Sequence, residues 1–365
     1  MNVCIIGDGL TSLSLAHNLI NKKINVHIYC KPKNIILSSS RSIGMSKDNF
    51  DYYQKEVFKI NSKYIWKINR IKIYFDKIKK DKNLNFEKNK KDLFLMIKNH
   101  KLKTVLKKKL IKNSLFKYKL IKEKNFYQNL LKENKYNLII NCDSNNYYAK
   151  KFFFKTISKN YNNFAYTTIL KHSKLVNNEA TQIFTKYGPL AFLPISNYET
   201  SVVYSVNFEK NDFSEKKIID LIKEYNPKYL IKNIQSLDKF ELKYLHSKKY
   251  YNKNILAFGD CIHKVHPLAG QGFNMTIRDI RTLSNIIQNK IDLGIQLDQS
   301  VCEEFEKTMK HKNFIFSTGI DFIYELFDFN RKIKSKNLNK VLGFIGNNKM
   351  LNNVFTKYAD KGLMI

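Results

Sequence analysis

No run of apolar residues in this 365-residue chain reaches the roughly 18 to 20 needed to span a bilayer. The opening "MNVCIIGDG" has no basic stretch, apolar core or cleavage site of the kind a secretory leader carries. We therefore expect a cytoplasmic protein that is peripheral at most. Cysteine is sparse and badly placed for cross-linking: Cys4, Cys30, Cys142, Cys261 and Cys302 are odd in number, far apart and never in a C-x-x-C pair. That pattern argues against a disulfide framework and against a zinc site, and fits a reducing compartment. No internal repeat or low-complexity linker marks a domain boundary. Acidic residues are scarce as well. Against 65 Lys and Arg stand 31 Asp and Glu, a net charge of +34. Such a field attracts nucleic acid or an anionic membrane surface. Compositional drift is the plainer source, because the lysines are spread along the whole chain among abundant Asn, Ile, Tyr and Phe.

The hydrophobic fraction of 43% is enough for an ordinary globular core, which sets wholesale disorder aside. The first thirty residues have a definite pattern. "VCII" at residues 3–6 is a short buried-strand run, "TSLSLAHNLINKK" places Leu13, Ala16, Leu19 and Ile20 on one helical face, and "NVHIYC" is a second strand run. Between the first strand and the helix stands "GDGLTS", a G-x-G-x-x-S form of the dinucleotide fingerprint. Its first two glycines allow a tight turn and the approach of a pyrophosphate to the helix N-terminus. Two positions depart from the fingerprint. Ser12 replaces the third glycine, and Cys30 stands where an acidic residue would grip a ribose.

Further along, "YIWKINRIKIYF" alternates like a strand, and the lysine-dense "HKLKTVLKKKLIKN" reads as a solvated, twisted edge region. A dedicated nucleic-acid site there is the minor alternative. "YNLIINCDS" is another buried strand, ending at Asp143. The runs "NFAYTTIL", "TQIFTKY", "LAFLPIS" and "TSVVYSVNF", joined by short turns, predict an antiparallel sheet; Tyr204 and Trp66 read as core residues, with substrate contact as the alternative. "SEKKIIDLIKEY" predicts a serine-capped helix. The final fifty residues read as amphipathic helix with an apolar stripe of Phe314, Phe316, Ile320, Ile323, Phe327, Val341, Phe344, Ile345, Leu351 and Phe355. Lys332, Lys334, Lys336 and Lys340 flank it. The stripe either packs on the rest of the protein or rests on an anionic membrane or a partner complex.

The stretch "GDCIHKVHPLAGQGFNMTIRD", residues 259–279, differs from everything around it. Three glycines, a proline, two histidines and an aspartate fall between Gly259 and Gly272. The strand "NILAF" delivers this loop into a helix. Asp260 at a strand end can accept hydrogen bonds from sugar-like hydroxyls, and the backbone N–H groups of Gly272 and Phe273 can point at a developing negative charge. His263 and His266 have no third ligand at metal spacing, so we expect them to shape the loop by hydrogen bonding.

This stretch resembles the second FAD motif of the flavin aromatic hydroxylases, and specifically of the ubiquinone-biosynthesis hydroxylases, which share the fold of para-hydroxybenzoate hydroxylase. Supporting matches follow in order: "GDGLTSL", "SSSRSIG" around Arg41, "CDS" at Asp143, "ATQIFTKYGPLAFLPIS" and "TSVVYS". The resemblance covers essentially the whole chain. It implies an α/β fold: a Rossmann-like FAD-binding domain from residues 1–62, 89–150 and 246–310, a mixed or antiparallel β-sheet substrate domain from 63–88 and 151–245, and C-terminal helices over 311–365. It implies FAD as cofactor and NADH or NADPH as co-substrate. Gly7, Gly9 and Ser12 would seat the pyrophosphate, Arg41 and Asp143 would contact the cofactor, and Asp260 would bind the ribityl chain. Pro267, Gly270, Gln271, Gly272, Phe273 and Asn274 would line the ring, with Pro267 and His266 as the catalytic candidates. The implied activity is oxygen-dependent hydroxylation of a polyprenylated aromatic small molecule on the way to ubiquinone. The implied partners are other ubiquinone-biosynthesis proteins and an anionic membrane surface, with no specific nucleic acid. Ser144 stands where this family has glycine after the aspartate, a third departure beside Ser12 and Cys30. A non-catalytic scaffold with the same fold is the alternative reading.

Overall fold

The computed structural model describes residues 1–32, 40–75, 83–87, 92–123, 125–207 and 213–333. Its architecture is α/β, as expected, and rests on two large sheets. The first begins with strand Asn2–Ile6, parallel to Asn25–Cys30 on one side and to Leu138–Asn141 on the other. Ile255–Ala257 and Tyr251–Asn252 extend the sheet beyond Leu138–Asn141, and Phe116–Leu120 extends it beyond Asn25–Cys30. Strands covered by helices on both faces need unbroken apolar runs, and Val3, Cys4, Ile5 and Ile6 are all buried. The helix Leu10–Asn21 returns the chain between the first two strands, burying Leu13, Ala16, Leu19 and Ile20.

The second sheet is mostly antiparallel and is built on the 17-residue strand Thr156–His172. That strand pairs with Glu199–Asn207 and with Asp238–Ser247. Gly188–Pro194, Glu179–Thr185, Arg70–Phe75 and Asn83–Glu87 follow outward, with Ile231–Ile234 and His263–Lys264 attached at the other side. Tyr204 is buried in its core, its hydroxyl 3.0 Å from that of Thr185. A small sheet of Ser42–Ser46, Phe94–Lys98 and Trp66–Ile68 lies alongside, where the Trp66 indole donates to the Asn177 carbonyl at 2.6 Å. The helix Glu215–Glu224 is capped by Ser214, which accepts from the Lys217 amide, as its sequence predicts.

Two expectations are corrected. "YIWKINRIKIYF" gives two strands in two different sheets, divided at Asn69, whose amide donates to Asn178. The lysine-dense stretch is not an edge: Asn99–Ile111 is a helix. Leu102, Leu106 and Leu110 recur every four residues and are all buried, which is a helical stripe. The lysines between them are good helix formers; Lys108 and Lys109 are exposed, whereas Lys103 and Lys107 turn their heads toward Asp8 and the Tyr118 ring.

The chain ends, within the described residues, in the long helix Gln299–Ile333. Its apolar stripe divides. Phe316 and Ile320 are buried and Ile323 is half-buried, whereas Phe314 is exposed, as are Phe322 and Phe329 outside the predicted stripe. The remainder of the predicted stripe (Val341, Phe344, Ile345, Leu351 and Phe355) with Lys334, Lys336 and Lys340 lies outside the described residues, as do the side chains of Phe327 and Lys332.

Candidate functional site

In an open parallel sheet, ligands bind at the carboxyl ends of the strands. Here three neighbouring strands end at Ile6, Asn141 and Ala257, just before Gly7, Cys142 and Gly259. Gly7 has φ +110°, and its amide donates to the Tyr29 carbonyl at 2.8 Å. A Cβ there would lie 3.4 Å from Ser12 Oγ and 3.6 Å from Asp143 Cβ, so the fingerprint turn is packed against both. Ser12 is small enough to sit fully buried behind the turn. Gly259 has φ +61°, and a Cβ on it would come within 2.8 Å of Thr11 Cγ2. The two glycine turns are thus pressed together.

Between these turns and the antiparallel sheet is a cavity of about 670 Å³. Gly9, Ser12, Arg41, Asp260, Pro267, Gly270, Gln271, Gly272 and Phe273 line it. Two helices begin at its wall, Leu10–Asn21 after Gly9 and Gln271–Asp292 after Gly270, and neither has a side-chain cap. Their first N–H groups and positive dipole ends favour an anion or a developing negative charge. Gly270 adopts φ +63°, which lets the chain turn straight into its helix. A Cβ at Gly9 or at Gly272 would meet nothing within 4 Å. The Gln271 side chain is buried, and neither its oxygen nor its nitrogen has a partner in the protein. A buried primary amide left so is costly, and at a cavity wall it fits a polar ligand. Asp260 is exposed one residue beyond buried Gly259. Arg41 lies over the Phe240 ring at 4.1 Å.

The opposite wall is apolar. Phe94, Met96, Leu193, Val203 and Phe240 come from the sheets, and Phe316, Ile320 and Ile323 from the long helix. Three residues of the C-terminal stripe are therefore cavity wall. Thr181 and Gln182 place polar groups in that wall. Gln182 was not foreseen as a site residue, because its position depends on sheet pairing; Thr11, Ile43 and Gly44 lie inside the "GDGLTS" and "SSSRSIG" motifs but were not picked out within them.

Four foreseen residues stand behind the wall. Gly7 and Asp143 support the fingerprint turn, and Asp143 Oδ1 accepts from the Asn145 amide at 3.0 Å. Asn274 bonds within the protein: Nδ2 donates to the Gly44 and Gly270 carbonyls, and Oδ1 accepts from the Ser46 amide and from Asn49. It ties strand Ser42–Ser46 to the helix that follows the loop. His266 is buried, stacked on Tyr324 at 4.2 Å and edge-on to Tyr161 at 5.5 Å. Neither of its ring nitrogens has a partner, and burial pushes its pKa down to about 3. The expectation that it hydrogen-bonds the loop does not hold, because two aromatic rings surround it. His263 does so: Nε2 is 2.5 Å from Asp279 Oδ2, and Asn313 donates to Asp279 Oδ1 at 2.9 Å. This buried cluster fastens the loop to both of the last helices. Ser144 accepts from Lys264 Nζ at 3.1 Å, adding a further tie. Burial pushes the Cys142 thiol up to about 12, with the Asp260 and Asp143 charges acting in the same direction.

Residues 152–292 match the profile of the FAD binding domain. The ubiquinone biosynthesis monooxygenase COQ6 of Dictyostelium discoideum is 26% identical over 183 residues, covering 40% of this chain and 37% of that protein. The 3-demethoxyubiquinol 3-hydroxylase of Escherichia coli is 27% identical over 155 residues, covering 41% of this chain and 40% of that protein. The chain therefore spans less than half the length of these curated relatives. Among solved structures, the p-nitrophenol 4-monooxygenase PnpA of Pseudomonas putida aligns over 98% of both chains with a TM-score of 0.74 at 11% identity. Klebsiella pneumoniae HpxO, complexed with FAD and uric acid, aligns over 99% of this chain and 93% of its own with a TM-score of 0.68 at 12% identity. The chain thus resembles the ubiquinone-biosynthesis flavin hydroxylases in sequence, and its fold is that of the FAD-dependent aromatic monooxygenases.

Proposed function

We propose that this protein is an FAD-dependent monooxygenase that hydroxylates the ring of a polyprenyl phenol or benzoquinol, using NADH or NADPH and oxygen. One observation carries the reading. Two uncapped helix N-termini and an unpartnered Gln271 amide meet at one mostly apolar cavity. When bound, FAD supplies the redox chemistry, taking electrons from the nicotinamide and activating oxygen. The protein's residues do the rest. Gly9 and Ser12 receive the pyrophosphate, with Gly7 and Asp143 holding the turn in shape. Asp260 accepts from ribityl hydroxyls, and Arg41 balances phosphate charge. Pro267, Gly270, Gln271, Gly272 and Phe273 border the ring, where the helix N-terminus stabilises negative charge. Asn274 and neutral His266 keep that loop in place from behind. The apolar wall excludes water from the reacting face. On this reading, residues 1–62, 89–150 and 246–310 form the FAD domain, and 63–88 with 151–245 form the substrate wall. The test is direct: purified protein should oxidise NAD(P)H with oxygen faster when a prenylated phenol is added, and should yield a ring-hydroxylated product. Turnover that ignores the phenol, with no such product, would contradict it.

A prenylated substrate resides in membranes, and the surface suits a visit to one. Phe322 and Phe329 on the long helix are 64% and 53% exposed in a chain of net charge +34. No helix among the described residues is long and apolar enough to cross a bilayer. Removing residues 311–365 would also strip Phe316 and Ile320 from the cavity, so point variants are the cleaner probe. Wild-type protein should cosediment with anionic vesicles and wash off in high salt. Phe322→Ser with Phe329→Ser should weaken that binding several-fold. Equal binding by the double variant would assign the effect to charge alone.

A further inference from the structure

The sequence leaves one part of the dinucleotide site without its usual chemistry. An acidic residue at the end of the second strand accepts hydrogen bonds from the adenosine ribose, and here that place is held by Cys30. Cys30 cannot act as the missing acceptor. It is buried, and its thiol donates to the Tyr118 hydroxyl oxygen at 2.9 Å.

The chain of hydrogen bonds does not stop there. Tyr118 in turn donates to Asp8 Oδ2 at 3.3 Å. Asp8 is the residue between the two fingerprint glycines, and the Gly7–Tyr29 hydrogen bond lays that turn against the end of the Asn25–Cys30 strand. Asp8 therefore stands beside the position the ribose acid would occupy, linked to Cys30 through one phenol. Lys103 Nζ reaches the same carboxylate oxygen at 3.5 Å, and Lys107 Nζ lies 3.9 Å over the Tyr118 ring. These lysines are one turn apart on the helix Asn99–Ile111. Asp8 is thus nearly buried, with one carboxylate oxygen shared by a cation and a neutral donor. Burial, reinforced by the hydrogen bonds to Cys30 and Asp8, holds Tyr118 far above the ordinary phenol range, so it stays a donor.

We propose that the ribose-binding carboxylate has moved from the end of the second strand into the fingerprint turn: Asp8, positioned by Tyr118 and Lys103, accepts the adenosine ribose hydroxyls of FAD. The inference rests on the site being an FAD site, and it assigns the adenosine end alone.

The test compares two flavins on the same apoprotein. FAD and FMN share the flavin and differ in the adenosine half. Dissociation constants measured by quenching of flavin fluorescence should show Asp8→Asn losing roughly ten- to hundredfold in FAD affinity, the effect of a charged hydrogen bond, with FMN affinity held within about twofold. Adding Cys30→Glu to Asp8→Asn should restore most of the FAD affinity by returning the acid to the strand end. Equal losses for both flavins would mean that Asp8 merely shapes the turn, and unchanged FAD affinity would remove it from the site; either overturns the proposal. If Asp8→Asn does not fold, Cys30→Glu alone decides: no gain in FAD affinity agrees with an acid already in place, and a gain of about tenfold overturns it. Wild-type protein that binds neither flavin would overturn the FAD reading itself, and this proposal with it. Wild-type binding with an indifferent Asp8→Asn variant would overturn this proposal alone.

Discussion

The two glycine turns of the cavity solve the same problem in different materials. The loop from Gly259 to Asn274 uses backbone: three glycines, an uncapped helix start and a buried amide, braced from behind by His263, Asp279 and Asn274. The turn from Gly7 to Ser12 uses side chains as well, with Asp8, Tyr118, Lys103 and Cys30 in one hydrogen-bonded chain. A site made of backbone cannot accept added side chains, whereas a site made of side chains can move a functional group from one position to another.

Breaking the brace under the second turn should have the largest effect. Asp279→Ala leaves buried His263 and Asn313 without their shared carboxylate. Each buried polar group left without its partner costs about 1–3 kcal/mol, so the two together should appear in urea denaturation as a clearly lower midpoint. A loss below about 1 kcal/mol would show that the loop is not held this way.

Filling the backbone-built space comes next. Gly272→Leu adds a side chain where a Cβ meets nothing within 4 Å and the cavity is open. Melting of the apoprotein should change by no more than about 2 °C, because a substitution that disturbs no contact stays within about 0.5 kcal/mol. Flavin affinity should fall by about a hundredfold, as overpacking of about 3 kcal/mol implies. Asp260→Ala, which removes a charged acceptor and leaves the backbone alone, should cost less, about ten- to hundredfold in FAD retention. Unchanged FAD occupancy would exclude Asp260 from the site.

The smallest effect is conditional on pH. His266 has its folded pKa pushed down to about 3, against an ordinary value of 6.5. The unfolded chain therefore takes up the proton first. Stability is complete above about pH 6.5 and declines as pH falls toward 3, with about 2 kcal/mol gone at pH 5. His266→Phe keeps an aromatic ring against Tyr324 and removes the proton. Denaturation midpoints should show the variant gaining on wild type between pH 8 and pH 5. Parallel acid limbs would mean that His266 is not buried as a neutral ring.

Much of the fold was legible because its strongest constraints are local. "VCII" and "LII" are continuous apolar runs, which parallel strands buried on both faces demand, and Gly270 sits at the αL position that starts its helix. The helix Asn99–Ile111 was harder, since three leucines at four-residue spacing are masked by the lysines around them. The site was legible at the glycines of its two turns, Gly9, Gly270 and Gly272, whereas Gly44, on a strand, was missed. It was not legible where partners lie far apart in the chain: Tyr118 and Lys103 meet Asp8 across 110 and 95 residues. Gln182 enters the cavity wall only because its strand pairs in one register. No local spacing encodes either meeting.

The central claim is that the two turns hold one flavin between them. Its most direct measurement is the stoichiometry of flavin released on denaturing protein purified after supply with FAD, read by absorbance and chromatography. The account predicts close to one FAD per chain in the wild type and almost none in Gly272→Leu. Protein that takes up no FAD, or a Gly272→Leu variant that retains it fully, would contradict the claim.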